Sequence, residues 1–166
     1  RSTLDRSSAA SDVYKRQVYH LYVNMEQIEF LILKNLLHNE KYLRKALPFI
    51  KAEYFQDANQ KIVFEEISSF VEQYNDLPTK EVLTIEVEKR NDINEESFKS
   101  VTHLIGCLDD SPVEFEWLVD TTEKWCRDRA IYLALLDSIA IADGKDEKKN
   151  PEAIPSILSD ALVKRK

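Results

Sequence analysis

Apolar residues recur at helical spacing along the chain from Met25 onward. Ile28, Leu31, Ile32 and Leu36 share a face with Asn35, which predicts an amphipathic helix from Met25 to about His38. A shorter helix follows through Tyr42, Leu43 and Leu47 and ends near Pro48, because the residue before a proline is pushed out of the helical region. Asp57-Ala-Asn-Gln60 has the form of a capping box, and Val63, Ile67, Phe70, Val71 and Tyr74 form the expected buried face behind it. Leu77-Pro78-Thr79 breaks the pattern, and Thr79 is placed to cap a short helix carrying Val82, Leu83 and Val87. Asn94 opens the next, with the stripe Phe98, Val101, Ile105 and Leu108 and with Glu95 and Glu96 at the positive end of the helix dipole.

The segment Ser111-Pro112-Val113-Glu114 combines a capping serine, proline at the first helical position and glutamate at the third. No helix breaker occurs after it until Asp143-Gly144, so one helix of roughly 30 residues, about 45 Å long, is expected. Its first half is amphipathic, whereas Ala130 to Leu136 is apolar on every face. Two arrangements cover such a segment: a central position in its own domain, or self-association through Ile131, Tyr132, Leu135 and Leu136. Trp117 and Trp125, with Phe115 beside them, fit either core packing or an interface hot spot. Lys145 to Asn150 reads as a polar connector ahead of Pro151. Beyond it Ile154, Ile157, Leu158, Ala161 and Leu162 recur at helical spacing. The expected fold is therefore all-α, a compact helical domain with one long C-terminal helix, then a linker and a short detached amphipathic helix. The stripe Ile154, Ile157, Leu158 and Leu162 needs a surface to dock on.

Composition sharpens this picture. Only two glycines, Gly106 and Gly144, occur in 166 residues, and tight hairpins and phosphate-cradling loops both lean on glycine. The formal net charge of −7 supplies no general attraction to a phosphate backbone, so direct nucleic-acid binding is not expected. Cys107 and Cys126 fit no disulfide framework, which points to a reducing, cytoplasmic setting. The most continuous apolar stretch, Ala130 to Ala142, is too short to span a bilayer, which takes about 20 residues.

The first residues sit oddly beside the rest. Arg1 to Gln17 lacks helical periodicity, and Ser11 to Gln17 resembles a translated sequencing adaptor, so residues 1–24 are read as a non-native leader and Met25 as the natural start. That leader holds four Lys/Arg against two Asp, so the remainder is more acidic still.

Motifs for chemistry are missing. With two glycines 38 positions apart there is no P-loop, and there is no metalloprotease, nucleophile-elbow or dinucleotide fingerprint. His103 and Cys107, one helical turn apart, form at most half a zinc site, with Cys126 the only evident third ligand; a buried cysteine and an ordinary histidine explain them better. Asp143 to Glu147 lacks the alternating acids of a calcium loop. Glu65/Glu66, Glu95/Glu96 and Asp109/Asp110 are adjacent in sequence, so solvated faces explain them better than a convergent acid/base pair. No catalytic, cofactor-binding or metal-binding residue is assigned.

From Met25 onward the order of elements resembles the N-terminal domain and linker helix of DnaB-type replicative hexameric helicases, closest to their T-even-like phage branch. The residues carrying the resemblance are Glu53-Tyr-Phe55, Ile62-Val-Phe64, Leu77-Pro78-Thr79, Asp110-Ser-Pro112, Trp117-Leu-Val119, Glu123-Lys124, Arg129-Ala130 and Ala153-Ile-Pro155. The resemblance implies a helical N-terminal domain at 25–143, a linker at 144–151 and a linker helix at 152–166. It implies a collar role in replication-fork unwinding, with contacts to primase and to a neighbouring subunit's motor, and no catalysis within this segment. The ATP- and magnesium-dependent motor would lie beyond Lys166. The competing class is a free-standing helical adaptor or helicase-loader-like protein. DNA that continues past codon 166 into a P-loop would favour the helicase, and a stop directly after it the adaptor; a small helical enzyme ranks last.

Overall fold

The computed structural model describes residues 3–163, apart from the side chains of 3–8 and 21–25. Seven α-helices form, α1 Thr3–His38, α2 Glu40–Ala46, α3 Ala58–Tyr74, α4 Lys80–Glu88, α5 Glu95–Cys107, α6 Phe115–Ala142 and α7 Ile154–Val163, and no strand occurs among the described residues. Short 3₁₀ turns at Leu47–Phe49, Ala52–Tyr54 and Pro151–Ala153 link them.

Most helix starts obey the capping chemistry that their sequences predict. Asn39, Asp57, Thr79 and Asn94 each accept a first-turn backbone N–H through their side chains, at 3.0, 2.9, 3.3 and 2.8 Å. Asn75 ends α3 in the left-handed region, φ 54°, and its carbonyl accepts from the Arg44 guanidinium at 2.8 Å. The long helix departs from expectation at its start. Ser111 does not cap it, because its backbone N–H and hydroxyl are both turned to Asp109, at 3.0 and 2.6 Å. Glu114 takes the cap instead and accepts from the amides of Glu116 and Trp117 at 3.1 and 2.6 Å.

The helix at the centre is α1, not the apolar half of α6. Ile32 to Leu37 are buried consecutively, Lys34 and Asn35 included, because α2, α3 and α6 all pack against this stretch. Lys34 reaches out of the core to Asp109, at 3.0 Å, and to the Ser111 hydroxyl. The backbone of α1 is helical from Thr3 rather than from Met25. Residues 9–20 are exposed throughout, so this portion packs on none of the described residues; an unbroken run without Gly or Pro permits a helix without requiring an apolar stripe. The expected buried face of α3 is also revised: Phe64 is inside, and Tyr74 lies exposed against Phe70, ring centroids 4.7 Å apart.

Two tertiary bonds tie α6 to the head, the packed unit of α1 to α5 and the turns between them. The Tyr42 hydroxyl lies 2.6 Å from Thr122 Oγ1, which itself donates to the Leu118 carbonyl at 2.7 Å, so the phenol is the donor. Arg129, buried, donates from Nε to the Tyr54 carbonyl at 2.6 Å.

Candidate interaction surface

The second half of α6 leaves the head and pairs with α7. The reversal is built at Gly144, whose φ of 69° is open to glycine without strain. Gly144 N–H donates to the Ile141 carbonyl at 3.0 Å and Lys145 N–H to the Ala140 carbonyl at 2.9 Å, the paired bonds of a Schellman stop. Lys149 then pins the connector to Asp137 at 2.9 Å, and Asn150 caps the following turn. The terminal helix is thus apart from the main core but not detached from α6: the two form an antiparallel hairpin.

Small side chains decide which face of α6 receives α7. Ala134, Ser138 and Ile141 are buried outside the main core, as is Ala161 of α7, and the small size of the two alanines and the serine lets the two backbones approach. Ile154, Ile157 and Leu158 are half-buried in this contact, while Leu162 points away and is 58% exposed.

At 100° per residue the opposite face of α6 carries Tyr132, Leu135, Leu136 and Ile139 within one sector. All four are exposed, at 49%, 46%, 46% and 56%. Of the sequence-derived association residues, Tyr132, Leu135 and Leu136 therefore belong to one solvent-facing stripe. Ile131 is half-buried beside it, and Ile139 extends it. Leu162 and Val163 add exposed apolar surface at the end of α7. Such a contiguous row differs from scattered surface hydrophobes.

The tryptophans divide. Trp125 is core, edge-on to Tyr54 and Phe55 with ring centroids 5.9 and 5.0 Å away, whereas Trp117 is half exposed. Phe115 is covered by the Lys41 ammonium, 4.1 Å above its ring. His103 and Cys107 lie together on α5, Nε2 to Sγ 3.7 Å, but Cys126 sits half-buried on α6. No group of three or more His, Cys, Asp or Glu that could hold a metal ion occurs among the described residues. Burial pushes the Cys126 thiol up to about 12.

Two polar features lie outside the sequence-derived assignments. Glu65 and Glu66 do converge, on Arg90, at 2.9 and 2.7 Å, with Asp92 completing the clamp at 2.6 Å; the pairing joins α3 to the end of α4 and could not be read from adjacency. Glu29 is fully buried. Its position was legible, since at helical spacing it falls between Leu33 and Leu36 on the apolar face of α1.

No family model matches the chain. The chain is 34% identical over 140 residues, 80% of its length, to a DnaB-like replicative helicase of Enterobacteria phage T4, and it spans 29% of that relative's length.

Proposed function

Over the matched region the chain belongs to the phage DnaB-type helicases, and from that premise we propose that it is the N-terminal assembly and partner-binding module, the collar, of a replicative helicase that unwinds duplex DNA at the replication fork. The observation that carries this reading is the stripe Tyr132, Leu135, Leu136 and Ile139, held out on a hairpin beyond the head and left exposed by the described residues. A module whose own core is complete without these residues has them available for a second copy.

In this reading hexameric assembly, primase contact and a place in the cytoplasm of an infected bacterium go with the collar role, and catalysis belongs to an ATP- and magnesium-dependent motor outside it. No helix is long and apolar enough to cross a membrane among the described residues. Docking on a neighbouring motor through Ile154, Ile157, Leu158 and Leu162 is supported for Leu162, which stays open; the other three must first leave α6.

Sedimentation equilibrium tests the assignment. The chain is expected to self-associate at high concentration, and Leu135→Asp with Ile139→Asp is expected to abolish this while the helical circular-dichroism spectrum stays the same. A strict monomer, or association indifferent to both substitutions, would refute the role given to the stripe.

A further inference from the structure

The junction between α1 and α6 encloses an acid whose hydrogen bonding is incomplete. Glu29 is 0% exposed, and one carboxylate oxygen accepts from the Gln56 backbone N–H at 3.3 Å. Its other oxygen, Oε2, has no partner at full hydrogen-bond distance, and neither has the buried indole N–H of Trp125, although that N–H lies near enough to the carboxyl to favour its ionised form. A buried acceptor and a buried donor left unmade in one cluster are each expensive, and native interiors rarely leave both. Arg129 also faces the site from α6, but its Nε is committed to the Tyr54 carbonyl at 2.6 Å.

We infer that Glu29 is a proton-operated joint between α1 and α6: neutral, it leaves the Trp125 indole and the Arg129 guanidinium where they stand, and ionised, it draws both onto the carboxylate. A neutral carboxyl tolerates burial with one hydrogen bond; a carboxylate does not, and besides the Gln56 N–H the groups that favour its charge, Trp125 and Arg129, are both N–H donors on α6. The other charge facing the site is Asp57, at the cap of α3, which opposes ionisation. Cys126, beside Trp125, stays a neutral thiol throughout the physiological range. Burial, outweighing Gln56, Trp125 and Arg129, raises the Glu29 carboxyl from 4.5 to about 7, within reach of cellular pH. The Arg129 guanidinium lies 4.9 Å from the Tyr132 ring, so its movement reaches the first residue of the exposed stripe.

The test is NMR titration of the chain between mildly acidic and mildly alkaline pH. With carbon-13 in the glutamate side chains, one carboxyl resonance is expected to titrate with a midpoint near 7, apart from the rest. In a Trp117→Phe background the remaining indole N–H resonance, that of Trp125, is expected to shift with the same midpoint, and Glu29→Gln to leave it flat. If every glutamate titrates in the ordinary carboxylate range, the inference is overturned without recourse to any Glu29 variant. An indole resonance that is flat in the parent, or that still titrates in Glu29→Gln, overturns it equally.

Discussion

Replacing Ala134 by Leu tests whether small residues hold the helical hairpin together. Ala134 is 8% exposed, faces α7 together with Ser138 and Ile141, and lies outside the main core. Three extra carbon atoms have no room there unless α7 moves away. Overpacking a filled contact costs about 1–3 kcal/mol. The helix is held mainly by Ile154, Ile157 and Leu158, each half-buried and so worth on the order of 1 kcal/mol, half the value of a fully buried aliphatic side chain. The penalty is comparable to the contact it disturbs. A change of about 2 kcal/mol alters the opening equilibrium roughly 30-fold, since about 1.4 kcal/mol is tenfold. Amide hydrogen exchange is the assay: residues 154–163 are expected to lose at least tenfold in protection, while Ile32 to Leu37 in the head keep theirs. Protease cleavage between Gly144 and Asn150 should accelerate in step. Unchanged protection across 154–163 would show that α7 is not seated on Ala134. A parallel loss in the head would show that hairpin and core are one cooperative unit.

The pH dependence of stability, the Arg90 clamp and the Tyr42 hydroxyl each carry a further expected outcome. Because folding raises the Glu29 carboxyl from 4.5 to about 7, the folded state holds this proton more tightly than the unfolded. Its stabilising contribution is complete below about 4.5, falls by ~3 kcal/mol as pH rises to about 7 and is flat above, so urea unfolding of Glu29→Gln should lack this slope. Arg90→Met removes the cation shared by Glu65, Glu66 and Asp92, all on a partly exposed clamp, and is expected to lower stability by roughly 1–2 kcal/mol in chemical denaturation. Tyr42→Phe deletes the donor to Thr122 but leaves Thr122 bonded to Leu118, so a loss of only about 1 kcal/mol is expected, visible as a melting temperature lower by a few degrees.

Helix identity and most helix starts were written locally. Asn39, Asp57, Thr79 and Asn94 are followed within three residues by the amides they receive, and Gly144 stops α6 by a conformation few other residues adopt. Such chemistry needs no knowledge of the rest of the chain. The exception at Ser111 has a non-local component: Asp109, which claims its hydroxyl, is itself anchored by Lys34, 75 positions earlier. Periodicity likewise identified two segments rich in apolar residues, α1 and the second half of α6, but could not say which is enclosed. That depends on which neighbours arrive. Three helices surround Ile32 to Leu37, whereas the second half of α6 receives α7 and the turn before it on its small-residue face, leaving Tyr132, Leu135, Leu136 and Ile139 to solvent. The convergence of Glu65 and Glu66 on Arg90, and the meeting of Glu29 with Trp125 and Arg129, arise the same way: each joins residues far apart in sequence, and only packing determines whether a charged side chain among apolar ones ends in water, in a salt bridge or in the core.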